Sequence, residues 1–150
     1  MATKHFKVNE MSLSEFIKRH GLQDVYKLPM SINSDGHLLC PCCDYAWTHH
    51  GTVEIFDRAE DEEMCLHTVA NHRKVQTNYD SSADGNPSLR RDGLIVHFTC
   101  EGCSIETQLT IAQHKGQTEM YFVVRFEDML LSHRHDLEET AFKNRKFCSS

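Results

Sequence analysis

The sequence predicts an α+β fold: an antiparallel β domain gathered around one metal ion, with a short helix before it and a longer helix after it. Three observations lead there. Cys40-Pro41-Cys42-Cys43 and Cys100-Glu101-Gly102-Cys103 are two Cys-x-x-Cys pairs, a spacing that brings two thiolates of one tight turn onto the same ion. Residues 37–125 carry alternating apolar and polar side chains punctuated by turn residues, the period of strands. Before and after that stretch the apolar residues recur at three- and four-residue steps, the period of a helix.

In chain order, residues 1–36 form a helical extension. Ser12 and Glu15 make a capping box, Leu13, Phe16 and Ile17 share one helical face, and Gly21 supplies a stop, so a helix is predicted over residues 13–20. Leu22, Val25, Tyr26 and Leu28 are expected to extend it after a break, up to Pro29. A β domain follows over residues 37–125. Thr52 to Phe56 reads as a strand, and Cys65 to Val69 with Lys74 to Tyr79 reads as a hairpin turning through Ala70, Asn71 and His72. Asp84-Gly85-Asn86-Pro87 and Asp92-Gly93 punctuate the chain before Leu94–Phe98, a strand that delivers Cys100. Ile105 to Gln113 alternates, with Thr107, Leu109 and Ile111 on one face, and His114-Lys115-Gly116-Gln117 turns it onto Met120 to Val124. Residues 126–150 are predicted as a C-terminal helix and tail, with Phe126, Met129, Leu130, His133, Leu137 and Ala141 on one stripe.

The metal reading rests on Cys40, Cys43, Cys100 and Cys103 as four thiolate ligands of one structural Zn²⁺. Two knuckles, each beside strand-like sequence, define a zinc-ribbon-like domain. Fifty-six residues separate Cys43 from Cys100, against roughly 15–20 in a minimal site of this kind. The expectation is therefore an inserted β-subdomain, over about residues 52–93, that brings the knuckles together; closure entropy grows only logarithmically with loop length, so such an insertion is tolerated. Iron–sulfur ligation and a redox Cys-x-x-Cys pair are the competing readings of the same residues. Cys42 is expected to point away from the ion. Of Cys65 and Cys148, one is expected in the core and the other as a free tail thiol. With all four positions filled by protein, such an ion contributes folding energy and leaves no site for substrate.

Composition narrows the function. Charged residues at 25% and hydrophobic residues at 39% describe a globular chain rather than a disordered one. No apolar run approaches the roughly 18 residues of a membrane span, and Met1–Lys7 lacks an apolar leader, so a cytoplasmic protein with no membrane role is expected. Seven cysteines, an odd number, argue against a disulfide framework. The net charge of −6 opposes indiscriminate nucleic-acid binding, which depends on neutralising phosphates. The acidic run Asp57, Glu60, Asp61, Glu62 and Glu63 is read as a solvated loop between strands.

Three polar clusters fall on turns or strand ends, where sites are commonly built. They offer His49, His50, Arg90, Arg91, His114 and Lys115 as a partner-binding surface, with the first two clusters expected on one side of the domain if the knuckles meet. The plain alternative pairs Arg90 and Arg91 with nearby acids and leaves His114 and Lys115 as hairpin-tip residues. Trp47 is expected to pack over the metal site. Three functional classes follow: a non-enzymatic binding or regulatory protein; a nucleic-acid-binding zinc ribbon with these residues on phosphates; and a hydrolase or nuclease with His49 or His114 as general base, for which the sequence shows no carboxylate partner. Monomer and dimer both stay open, the latter through the C-terminal stripe.

The ordered string Cys40-Pro41-x-Cys43, Tyr45-x-Trp47-Thr48-His49-His50, Gly85-Asn86-Pro87-Ser88-x-Arg90-Arg91-Asp92-Gly93-Leu94, Cys100-Glu101-x-Cys103 and Gln113-His114-Lys115-Gly116-x-Thr118 resembles small uncharacterised zinc-ribbon-like proteins of bacteria and phages. The resemblance spans Cys40 to Thr118, about half the chain. It implies a zinc-ribbon-like protein of phage or mobile-element character. Docking on a host protein or nucleoprotein complex, for example as an inhibitor of host defence or transcription, is the role that small size, acidity and a modest core suit, by analogy rather than from a site.

Overall fold

The computed structural model describes residues 18, 19, 21 and 23–128. Their architecture is one antiparallel sheet of seven strands: β1 (Val25–Leu28), β2 (Thr48–Asp57), β3 (Met64–Asn71), β4 (Lys74–Ser82), β5 (Gly93–Cys100), β6 (Glu106–His114) and β7 (Gln117–Arg125), in the order β1-β7-β6-β5-β2-β3-β4. This overturns the α+β expectation. Helical backbone among the described residues is confined to 18–19 and 126–128, and none of it amounts to a helix of seven residues. The rest of the helices forecast over 13–20 and from Phe126 onward lies outside the described residues, as does Cys148.

The clearest correction is β1. Leu22, Val25, Tyr26 and Leu28 have a spacing that suits a helix, but Val25–Leu28 forms a strand pairing with β7 from Val25↔Arg125 to Leu28↔Phe122. Its burial alternates, with Tyr26 and Leu28 turned to the core and Val25 and Lys27 to solvent. Over four residues the two periods cannot be told apart, and the open edge of β7, with backbone donors and acceptors to satisfy, decides for the strand.

A second correction concerns the insertion. Residues 52–93 make no separate subdomain; their strands belong to the same sheet as β6 and β7. β2 leaves the first knuckle, β5 returns to the second, and the two pair antiparallel from Thr48↔Cys100 to Phe56↔Gly93. The β3–β4 hairpin extends the sheet beyond β2. A register shift between His50 and Val53 places one extra residue of β2 opposite β5, a β-bulge at Gly51 and Thr52.

Both forecast hairpins exist. β3 and β4 turn through His72 (φ +47°) and Arg73 (φ +66°), one residue later than expected, and β6 and β7 turn through Lys115 (φ +47°) and Gly116 (φ +81°). These are two-residue turns with positive φ at both central positions, whose twist matches that of the strands. β6 sits between β5 and β7 and is buried on both faces: Thr107 and Leu109 on one, Thr110 and Ala112 on the other. The buried Thr110 hydroxyl is satisfied by donating to the Tyr121 carbonyl at 3.1 Å.

The apolar core is divided. The larger cluster, at the knuckle end, joins Cys40, Cys42, Cys100, Ile105, Val124 and Phe126, with Tyr26, Leu28 and Cys103 packed against it. The smaller one lies on the other half of the sheet and joins Phe56, Cys65 and Ile95. Cys65 is therefore the core cysteine, its thiol pushed up in pKa by burial and its Sγ 3.7 Å from the Ser82 carbonyl.

Candidate metal centre

The two knuckles adopt the same local structure, residue for residue. Cys40 N–H donates to the Tyr45 carbonyl at 2.9 Å and Cys100 N–H to the Ile105 carbonyl at 3.1 Å. Asp44 N–H closes back on the Cys40 carbonyl at 3.0 Å, and Ser104 N–H on the Cys100 carbonyl at 2.9 Å. Asp44 and Ser104 both sit at φ +60°, the left-handed step that turns the chain away after the second cysteine of each pair. Within each turn a backbone N–H points at the first sulfur: Cys42 N–H at Cys40 Sγ (3.4 Å) and Gly102 N–H at Cys100 Sγ (3.3 Å). Such donors favour thiolate over thiol and orient the ligand for a cation.

Pairing of β2 with β5 then sets the turns face to face. The four Sγ atoms of Cys40, Cys43, Cys100 and Cys103 all lie within 4.8 Å of one another. Cys40 and Cys103 sulfurs are 3.8 Å apart, and Cys43 and Cys100 sulfurs 3.5 Å. Tetrahedral coordination at about 2.3 Å per bond requires sulfur–sulfur edges of about 3.8 Å, so this donor set fits one metal ion. A multi-iron cluster places iron and sulfide between its thiolates and needs them wider apart. Four thiols this close cannot share protons comfortably. Hydrogen bonds from Cys103 and Cys42 hold Cys40 far below the usual thiol range, burial pushes Cys43 up to about 11, and the hydrogen bond to Cys40 pushes Cys103 higher still. A divalent cation would relieve that conflict by accepting all four as thiolates.

Cys42 is not one of the four clustered sulfurs, but its thiol lies within hydrogen-bonding reach of Cys40 rather than pointing away, and it is buried in the larger core. Trp47 does not pack over the site. It is 62% exposed, and Tyr45 covers the second knuckle instead: a Cβ on Gly102 would meet the Tyr45 ring at 2.9 Å. That close approach is why glycine serves at position 102.

The six residues expected to form a binding surface divide between the two ends of the sheet. His49 and His50 begin β2 beside the knuckles. His49 Nε2 lies 2.7 Å from Glu101 Oε1, and His50 meets Phe98 edge-on with ring centres 6.5 Å apart. Arg90 and Arg91 precede β5 at its opposite end, about 23 Å away at the usual rise per residue. The first and second clusters are thus not on one side; the second instead meets the third. Ser88 Oγ donates to the Gln113 carbonyl at 2.8 Å and Gln113 N–H to the Asp92 carbonyl at 3.1 Å, next to His114 and Lys115.

Both arginines are engaged by the acidic loop. Arg90 Nε and Nη2 grip Asp61 at 2.7 Å each, Arg90 Nη2 reaches Glu60 at 3.0 Å, and Arg91 Nη2 reaches Glu60 at 2.9 Å. Arg58 completes the clamp by donating to the Leu89 and Glu62 carbonyls. Asp61 is held below the usual carboxylate range by its hydrogen bonds from Arg90. Arg90 and Arg91 therefore tie the 83–92 loop to the 58–63 loop.

Sequence reasoning missed one constellation. Glu54 of β2 accepts from His67 Nε2 of β3 (3.0 Å) and His97 Nε2 of β5 (2.7 Å), one carboxylate bridging two imidazoles across three strands. The three are far apart in sequence and become neighbours only through strand register. For the hydrolase reading, His49 does have a carboxylate beside it in Glu101. Their side chains are 61% and 50% exposed, an arrangement without the water exclusion that strengthens acid–base pairs in enzymes.

The fold and site together define a class: a single-sheet antiparallel β protein with a closed four-cysteine centre capable of holding one ion, consistent with a zinc-ribbon-like motif. Comparison with protein-family models, with curated proteins and with solved structures finds no match to this chain. No helix among the described residues is long and apolar enough to cross a membrane.

Proposed function

We propose that this is a zinc-stabilised, non-enzymatic binding protein that docks on a macromolecular partner through its metal-bearing end. The observation that carries the reading is Trp47. Its backbone carbonyl accepts from Glu101 N–H at 3.0 Å, which ties it to the second knuckle, while its indole is mostly exposed. A large aromatic held on a rigid, metal-pinned rim loses little entropy on contact and is the side-chain type that dominates binding hot spots. Tyr45 and His49 are exposed beside it and widen the surface. The closed donor set supports a structural ion, and the absence of sulfur-to-sulfur gaps wide enough for a cluster favours zinc or a mononuclear iron, of which zinc is the redox-inert choice. The motif resemblance extends the proposal to a phage- or mobile-element-encoded protein acting on a host protein or nucleoprotein complex in the cytoplasm. Direct nucleic-acid binding has less support, because Arg90 and Arg91 are already paired with acids on a chain of net charge −6.

The test is affinity capture from host cells with the tagged protein and its Trp47→Ala variant, read by mass spectrometry and followed by titration of the captured partner. Trp47→Ala is expected to keep its metal and melting temperature and to lose at least about tenfold in affinity. Retained binding with lowered stability would make Trp47 a packing residue and overturn the docking surface. Capture of nucleic acid with affinity falling steeply in salt would favour the phosphate-binding alternative.

A further inference from the structure

The metal-bearing end carries two exposed aromatics, Trp47 at 62% and Tyr45 at 44%. The bond from Glu101 N–H to the Trp47 carbonyl extends the β2–β5 register one pair beyond Thr48↔Cys100, which sets Trp47 opposite Glu101. Residues so opposed share a face of the sheet, with Cβ atoms about 5 Å apart. Tyr45 lies over the next residue, its ring 2.9 Å from where a Cβ on Gly102 would stand. Glu101 is therefore bracketed by two rings, Trp47 across the strand pair and Tyr45 over its neighbour in the chain. Glu101 Oε1 lies 2.7 Å from His49 Nε2, a hydrogen bond that fixes the carboxylate's direction while its side chain stays 50% exposed.

We propose that this surface takes an arginine side chain of a protein partner, its guanidinium stacked on Trp47 and paired with Glu101, with Tyr45 as the second ring. The inference rests on the docking reading and names the chemistry of its partner. Three features converge on a planar cation. Aromatic faces carry a negative quadrupole that attracts cations, tryptophan most strongly. A carboxylate beside them accepts the guanidinium fork, which a lysine ammonium cannot offer. The surrounding field is negative as well. Residues 40–50 and 100–104 contain Asp44 and Glu101 and neither lysine nor arginine. With zinc bound, the four thiolates would leave a net charge of about −2 at the knuckles. Among the strands, the cations toward this end are Lys27 and Arg125, on β1 and β7, and β7 lies three strands from β2, about 14 Å at the usual spacing. A nucleic acid would bring its own negative charge into this field, so a protein segment is the occupant it favours.

Trp47 is the only tryptophan of the chain, so its fluorescence reports occupancy directly. The test titrates the zinc-loaded full chain with a glycine–serine peptide carrying arginines, and with the same peptide carrying citrulline, which keeps the planar shape and loses the charge. The arginine peptide is expected to shift the emission saturably and to bind at least about tenfold more tightly than the citrulline one, the difference narrowing as salt rises. Glu101→Gln is expected to weaken the arginine peptide about tenfold, with zinc content and circular dichroism unchanged. Should Glu101→Gln fail to fold, the arginine–citrulline comparison on the wild type decides alone. Equal binding of the two peptides overturns the proposal. So does an emission that arginine leaves unchanged, or a folded Glu101→Gln variant that binds as well as the wild type. Capture from host cells that still depends on Trp47 would then leave the docking surface standing and remove only its arginine, whereas loss of both would remove the surface itself.

Discussion

The two ends of the β2–β5 strand pair are closed by different chemistry. At one end the paired knuckles converge on a four-sulfur centre packed against the larger core. At the other, the 83–92 loop folds over the strand ends and is fastened to the acidic 58–63 loop by Arg58, Arg90 and Arg91. With a metal ion in place the first closure would be coordinate bonding, in part buried. The second consists of exposed ion pairs around one buried hydroxyl, Ser88, which accepts from Arg90 and Arg91 N–H and donates to Gln113. Strength therefore differs more than geometry does. Structural zinc sites contribute apparent binding energies of about 10–16 kcal/mol in small domains, whereas an exposed ion pair contributes little in water. The end most conspicuous in charge is the weaker fastening.

The largest expected effect breaks the strong end. The purified protein should carry one zinc per chain by elemental analysis, and strong chelation should unfold the knuckle half of the sheet, followed by loss of circular dichroism. Cys43→Ser or Cys100→Ser should yield insoluble or metal-free protein. Protons compete with zinc for thiolates, so metal retention should weaken as pH falls and not as it rises. A folded, metal-free wild type would remove the contrast between the ends altogether.

An intermediate effect should come from Gly93, at the weak end. A Cβ there would collide with Asn86 Oδ1 and lie 2.7 Å from Pro87 Cδ, inside the loop that caps the strands. Gly93→Ala should cost about 1–3 kcal/mol in urea unfolding by forcing that loop outward, with zinc content unchanged. A neutral result would show the loop to be loosely seated, and would sharpen the difference between the ends.

The smallest effect belongs to the ion pairs. Arg90→Ala with Arg91→Ala should lower the melting temperature slightly, less so at high salt, and leave partner capture through Trp47 intact. The sign with pH follows from Asp61, whose carboxyl is held low by Arg90. A depressed pKa contributes stability above the ordinary carboxylate range, and that contribution is lost as pH falls through the folded-state value. The wild type minus double-mutant difference should therefore shrink on acidification. Loss of partner binding in the double mutant would instead return these arginines to the interface.

Legibility in the sequence tracked how local each feature is. The four-sulfur cluster was readable because a Cys-x-x-Cys turn is specified within four residues, and the Lys115-Gly116 turn because Gly116 takes a backbone conformation that suits glycine. Val25–Leu28 was misread because four residues cannot distinguish a period of 2 from one of 3.6. Arg90 and Arg91 were expected on the same side of the domain as His49 and His50 because proximity along the chain to Cys100 stood in for proximity in space. A strand carries its two ends apart at about 3.3 Å per residue, so the residues that precede β5 are the ones furthest from where it delivers its cysteine.

By itself, then, the sequence determined the four sulfurs, the two tight hairpins and the antiparallel strand content, because each of these is encoded by spacing or period over a few residues. Only the tertiary structure decided that the segment between the knuckles is the middle of one sheet, that Trp47 faces solvent while Tyr45 covers Gly102, and that Glu54 bridges His67 and His97. Those outcomes depend on strand register, and register is set by which apolar faces bury together across the whole sheet, a sum over distant residues that no local pattern carries.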